Sequence, residues 1–134
     1  MDREPRRYFV NGIETLDASY LGITDLKQLK EVFGVTSTQF DGNLSLRGNP
    51  LSSLIGIEDI ADEIRGYLDL RDCEIRKGGL GLLLIKGLKS LRLSNTTDKQ
   101  APALAIIAEY LGKDDIYGCQ NELIEKHFAD FAEL

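Results

Sequence analysis

The chain has 134 residues, 43% of them hydrophobic and 28% charged, with a net charge of −6. That is the length of one ordinary domain, large enough to bury a core without staples, and no apolar run approaches the roughly 20 residues that a membrane helix needs. Residues 109–134 carry 7 acids and 2 bases, whereas residues 43–108 carry 8 acids and 9 bases, so the clustered excess of Lys and Arg typical of a nucleic-acid binder is absent.

The first ten residues, MDREPRRYFV, are charged and lack an apolar core, so they do not read as a signal peptide. Cys73 and Cys119 have no partner motif, and two reduced thiols in a cytoplasmic protein are expected. RRYFVNGI is read as a cover over the front of the fold. Leu16, Ala18, Leu21 and Ile23 come next, followed by a helix over Thr24–Gly34 with Leu26, Leu29, Val32 and Phe33 on one face, Thr24 as N-cap and Gly34 as stop.

Gly42, Leu44, Leu46, Asn49 and Leu51 resume the first pattern, and Leu54–Ile64 reads as a short helix carrying Ile57, Ile60, Ala61 and Ile64. The pattern returns as Gly66, Leu68, Leu70, Cys73 and Ile75. A glycine-rich stretch, Gly78–Gly87, leads to Leu91, Leu93 and Thr96, with Asp98 failing the last position. The clearest helix follows at Asp98–Gly112, with Leu104, Ile107, Ala108 and Leu111 on one face. A weak fifth copy, Ile116, Gly118, Asn121 and Leu123, precedes an acidic helix over Asn121–Leu134.

The shared template is Leu-x-Leu-x-x-(Asn/Cys)-x-(Leu/Ile), recurring at spacings of 28, 24, 23 and 25 residues. Those intervals lie in or near the range of roughly 20–29 residues found in leucine-rich repeats. On these residues the chain resembles a short leucine-rich-repeat protein. Alternation puts both leucines of each copy on one face of a short strand, and one copy cannot bury that face alone, so copies must stack. The expected fold is a single α/β domain: a curved parallel sheet of about five strands with helices and loops on the convex side. Residues 1–12 would cap it, 13–120 would hold the repeats, and 121–134 would form the closing helix. In that family the residue at the Asn/Cys position turns inward to satisfy backbone groups, which makes Cys73 structural. The stretch FDGNLSLRGNPLSSLIGI is also similar to tandem repeats of hypothetical proteins from phages and prophages.

No catalytic constellation is legible. The single histidine, His127, has no second His and no Cys at ligand spacing; GKDDIYG lacks calcium-loop spacing, and KGGLGLL lacks the Lys-Ser/Thr of a phosphate loop. No enzyme activity, metal or cofactor is expected. Cys119, read as an outward residue of the weak last strand, has no neighbour in sequence that would lower its pKa.

The outward strand positions remain: Asp17, Ser45, Asp69, Arg92 and Tyr117 in one row, Ser19, Arg47, Arg71, Ser94 and Cys119 in the next, and Thr15, Asn43, Tyr67, Ser90 and Asp115 in the preceding one. Two adjacent arginines disfavour each other unless an acid answers them, and Arg and Tyr are favoured at interaction hot spots. A non-enzymatic protein-binding module is therefore expected, with Arg47, Tyr67, Asp69, Arg71, Arg92 and Tyr117 as the contact residues. By analogy with the phage-like stretch it would be an inhibitor or anti-defence protein of an unidentified protein partner. The alternative is an acidic nucleic-acid mimic or toxin-neutralising immunity protein, binding a basic partner through Glu122, Glu125, Asp130 and Glu133.

Overall fold

A computed structural model describes residues 5–34, 39–40, 42–93 and 100–133. Its strands, in chain order, are β1 (Arg6–Val10), β2 (Ile13–Asp17), β3 (Gln39–Phe40), β4 (Asn43–Ser45), β5 (Glu63–Ile64), β6 (Tyr67–Asp69) and β7 (Ser90–Arg92). The fold is mixed α/β. Its main sheet has five strands in the order β1-β2-β4-β6-β7, and a small second sheet pairs β3 with β5. From β2 to β7 all pairing in the main sheet is parallel.

The register aligns Leu16, Leu44, Leu68 and Leu91 across four strands. Their side chains share one face, and Leu16, Leu44 and Leu68 are buried. Two residues on, Ala18, Leu46 and Leu70 are fully buried, and Ile23, Leu51 and Ile75 close the same core. Alternation thus directs the aliphatic residues inward, where full burial of a Leu or Ile side chain contributes about 1.5–3 kcal/mol.

The departures from β2, β4 and β6 each use a left-handed residue: Tyr20 (φ 56°), Gly48 (φ 74°) and Asp72 (φ 61°). Gly48 is doubly required, because a Cβ there would also collide with the Tyr20 ring lying over it. Beyond this turn comes the template Asn. Asn49 is fully buried, and its side chain uses all four of its hydrogen-bonding positions. Its Oδ1 accepts from the Leu21 N–H (2.9 Å) and the Ile23 N–H (3.1 Å), and its Nδ2 donates to the carbonyls of Ala18 (2.9 Å) and Leu46 (2.8 Å). Cys73 stands in the corresponding place and does less: its Sγ donates to the Leu46 carbonyl at 3.1 Å.

Gly66 precedes β6 and reads from sequence as a permissive turn. Its necessity is space instead, since a Cβ would strike Oδ1 of Asn43. The helices are α1 (Gln28–Glu31), α2 (Ile57–Ile60), α3 (Gln100–Glu109) and α4 (Ile116–Glu125), with 3-10 turns at Leu80–Leu84 and Ala129–Ala132. α1 is shorter than the expected Thr24–Gly34. The Gln28 side chain folds back to accept from the Thr24 and Asp25 N–H groups, so this segment is a turn, and Val32 is exposed.

Two expectations about strands are corrected. The weak fifth copy at Ile116–Leu123 is helical, because Asp115 caps it by accepting from the Gly118 N–H at 3.0 Å. The template spacing Ile116 to Leu123 is also a helical i, i+7 step, and Cys119 and Leu123 at i, i+4 form its buried side. The fifth strand of the main sheet is β1 instead, antiparallel to β2. Its turn, Asn11 (φ 52°) and Gly12 (φ 79°), has both central residues left-handed, as a two-residue hairpin requires. Thr96, Asp98 and Ser94 lie outside the described residues.

Asn49→Ala would leave up to four buried backbone groups without their partner. It is expected to lower unfolding free energy by about 3–4 kcal/mol, against about 1–2 kcal/mol for Cys73→Ala. Urea denaturation of both variants checks this, and equal losses would refute the unequal roles of the two positions.

Candidate functional site: the polar face of the main sheet

The face opposite the leucines collects side chains from all five strands. Pairing places Arg6, Asp17, Ser45, Asp69 and Arg92 in one row. Tyr8, Thr15 and Asn43 share the adjoining row with Tyr67 and Ser90. Sequence reading treats those on β2, β4, β6 and β7 as solvated outward positions. The structure differs: Thr15, Asn43, Ser45 and Asp69 are buried, Asp69 to 3% exposure. They are short, so the longer Tyr8, Tyr67, Arg71 and Arg92 rise past them and exclude water.

The buried floor is internally satisfied. Asn43 Nδ2 donates to Thr15 Oγ1 (3.1 Å), and Asn43 Oδ1 accepts from the Tyr67 N–H (2.9 Å), joining β2, β4 and β6. The Asp69 carboxylate accepts from Arg71 three times: from the backbone N–H (3.1 Å), from Nε (3.0 Å) and from Nη2 (2.7 Å). Arg47 donates through Nε to Asp72 at 3.0 Å. The two adjacent arginines are therefore each answered by their own acid. Those hydrogen bonds, Asp72 to Arg47 and Asp69 to Arg71, hold both guanidinium groups above their ordinary pKa. Tyr20 reaches across Gly48 toward Asp72, its hydroxyl 3.5 Å from Oδ2.

Arg92 is held differently. It makes no ion pair among the described residues, and its guanidinium carbon lies 3.8 Å from the centroid of the Tyr67 ring. This is a cation–π stack that fixes the head group while leaving its donors open. Tyr8 adjoins the same cluster: burial raises its pKa, and so do Asp17, Tyr67 and Asp69 nearby, against Arg92.

Of the expected contact residues, Arg47, Tyr67, Asp69, Arg71 and Arg92 are brought together on this face. Asp69 lies beneath Arg71 as a support and is not itself presented. Tyr117 is separated from them: it is on α4, 76% exposed, and not on the sheet. Sequence reading missed Tyr8 and Asp72. The Asn-Gly flanked by RRYFV and IETLD was the available signal for the first, since it marks a hairpin that brings Tyr8 beside Thr15. Nothing marked Asp72, whose left-handed backbone aims it at Arg47.

The remaining chemistry-bearing residues lie elsewhere. Among the described residues no three His, Cys, Asp or Glu side chains converge to hold a metal ion, and no helix is long and apolar enough to cross a membrane. His127 is exposed, with a left-handed φ of 68° at the end of α4. Glu122, of the acidic C-terminal group, accepts from the Tyr110 hydroxyl at 3.0 Å. Cys119, expected to point outward, is fully buried on α4.

Burial pushes the Cys73 and Cys119 thiols from 9.0 up to about 11. Both are protonated at neutral pH, so a disulfide-exchange reagent at pH 7.4 is expected to titrate neither thiol in the native protein and both in denaturant. A thiol whose folded pKa is raised stabilises fully below its unfolded value and loses that contribution as pH rises through the folded one. The urea midpoint should therefore fall between pH 9 and about 11, and a Cys73→Ala/Cys119→Ala double variant should fall less over the same window. Equal slopes would refute the assignment.

No family model matches the chain, and comparisons with curated proteins and with solved structures returned no match.

Proposed function

We propose that the chain is a short leucine-rich-repeat-like stack acting as a non-enzymatic protein-binding module, with its partner seated on the polar face of the main sheet. The observation that carries this reading is Arg92 stacked on Tyr67 at 3.8 Å with no acid paired to it among the described residues. Arginine and tyrosine dominate interface energetics because they bury large area and lose little freedom once ordered. Here the ordering precedes binding, since Arg92 is stacked on Tyr67, whose backbone N–H donates to the buried Asn43, and Arg71 is held on the buried Asp69. Preorganisation of that kind lowers the entropy cost of association.

Arg47 and Arg71 flank the stack, each already paired. They shape the surface and contribute less than Arg92 to capture, because partly exposed ion pairs are weak and stay satisfied without a partner. The phage-like stretch FDGNLSLRGNPLSSLIGI supports an inhibitory setting in the cytoplasm, such as anti-defence or toxin neutralisation, by analogy.

Affinity capture from the native host, read by quantitative mass spectrometry, tests the surface. Arg92→Glu is expected to reduce recovery of the wild-type partner at least tenfold with an unchanged thermal midpoint. Neutralising Glu125, Asp130 and Glu133 together is expected to leave recovery intact. The opposite pattern would overturn this reading in favour of a basic partner bound by the acidic C-terminal region. Arg71→Glu is a poor probe, because it would strand the buried Asp69 carboxylate and destabilise the fold.

A further inference from the structure

The hairpin leaves β1 as the outer strand of the main sheet. A two-residue turn closed by Val10 and Ile13 makes that pair hydrogen-bonded, and with it Tyr8–Thr15 and Arg6–Asp17. Arg7 and Phe9 therefore point their backbone N–H and C=O groups away from β2. The Phe9 ring shares the face of Leu16 yet is 71% exposed. Edge strands are usually blunted by a bulge, an internal proline or an uncompensated charge. β1 has neither bulge nor internal proline; the charge of Arg7 is answered within the hairpin by Glu14, while Arg6, opposite Asp17, lies on the polar face and not on the face of Phe9.

The outward positions of this edge are few. Pro5 has no N–H, and Asn11 is taken by the turn, which leaves Arg7 and Phe9. An antiparallel pairing of two copies that uses both residues on both chains has one solution, with Arg7 of each chain opposite Phe9 of the other and Tyr8 on the two-fold axis. That register makes every outward donor meet an acceptor. It sets each guanidinium beside an aromatic ring, and it places Arg6 opposite Val10, so no like charges face each other. Pairing about Arg7 would oppose the two Arg7 cations and set Phe9 against the donor-less Pro5.

We propose that this chain forms a homodimer through its β1 edges, antiparallel about a two-fold axis at Tyr8, which joins the two main sheets into one of ten strands. The contact is isologous, so it closes at two copies and does not propagate. It covers Phe9 and leaves both polar faces open on the same side of the extended sheet. It does not depend on which partner the polar face takes.

Sedimentation equilibrium of the full chain from about 1 to 200 µM reads the state directly. The mass is expected to rise from 14.9 kDa toward twice that value. Arg7→Pro removes one outward N–H and no ladder bond within the hairpin, and it should hold the mass at the monomer while the far-ultraviolet circular dichroism is unchanged. Cysteine scanning gives a readout of register that does not rely on that variant folding. Tyr8→Cys lies on the axis in a close non-hydrogen-bonded pair and should oxidise to a covalent dimer. Phe9→Cys, two residues from its own copy across the axis, should cross-link at least tenfold more slowly. Cys73 and Cys119 are buried and give no background. A wild-type mass of 14.9 kDa throughout, or cross-linking of Phe9→Cys as fast as Tyr8→Cys, would overturn the proposal.

Discussion

The carboxamide of Asn49 sits where one pass of the chain must leave the sheet and cross to the next. A chain that turns inside a core carries its backbone N–H and C=O groups with it, and those groups cost free energy unless they are paired. Asn49 pairs four of them, three from the preceding pass and one on its own side, with one buried side chain. It thereby fixes the distance between β2 and β4 at their exits. Cys73 repeats the position with one weak donor to the Leu46 carbonyl and weak sulfur contacts with the backbone of Gly48 and Asn49, and apolar burial does the rest. The Leu46 carbonyl receives both side chains, so the two turns are joined through one acceptor.

The same parallel register that aligns the leucines also determines what the other face can present. Residues two apart on a strand share a face, so a row of leucines on one side implies a row of fixed neighbours on the other. In the middle of the sheet those neighbours are short, and the tyrosines and arginines around them close over the top. Burying Asp69 in this way would be costly for a lone carboxylate. Arg71, two residues on in the turn that leaves β6, wraps its guanidinium onto it, so the charge is compensated within the chain. The left-handed turn residue does the same for Arg47, because Asp72 is swung out beside it. Adjacent like charges are thus tolerated where β4 and β6 end, at little cost.

Alternation and spacing made the four parallel strands readable, since Leu16, Leu44, Leu68 and Leu91 are both the sequence pattern and the structural row. The inward turn at Asn49 was legible through the resemblance to leucine-rich repeats, in which this position answers backbone groups at the turn. The polar face was readable as a list of outward positions and not as a surface. Which of those residues end up covered depends on side-chain length across three strands, a tertiary property that a linear pattern does not contain. The helix at Ile116–Glu125 was misread because a template with apolar residues seven apart fits a strand exit and a helix alike, and the capping Asp115 decides between them. The hairpin was different. Asn11-Gly12 between alternating segments is a strong local signal, and reading those residues as a cover hid the strand that carries Tyr8 and Phe9.

The two ends of the sheet are finished by different physics. α3 packs against β7, α3 packs against α4, and α4 packs against the Ala129–Ala132 turn, so the apolar side of the last strand continues into helices with Leu104, Ile107, Leu123 and Phe131 buried among them. Among the described residues the hairpin end has no such layer. β1 satisfies β2 and then stops, with its own outer amides and the Phe9 ring facing outward. A stack of strands that each depend on a neighbour must end somewhere, and adding an antiparallel strand by a tight turn moves the problem outward by one strand without removing it. The covered end therefore supplies stability, while the uncovered end supplies directional hydrogen-bonding groups beside an apolar ring, which is the combination that strand addition uses.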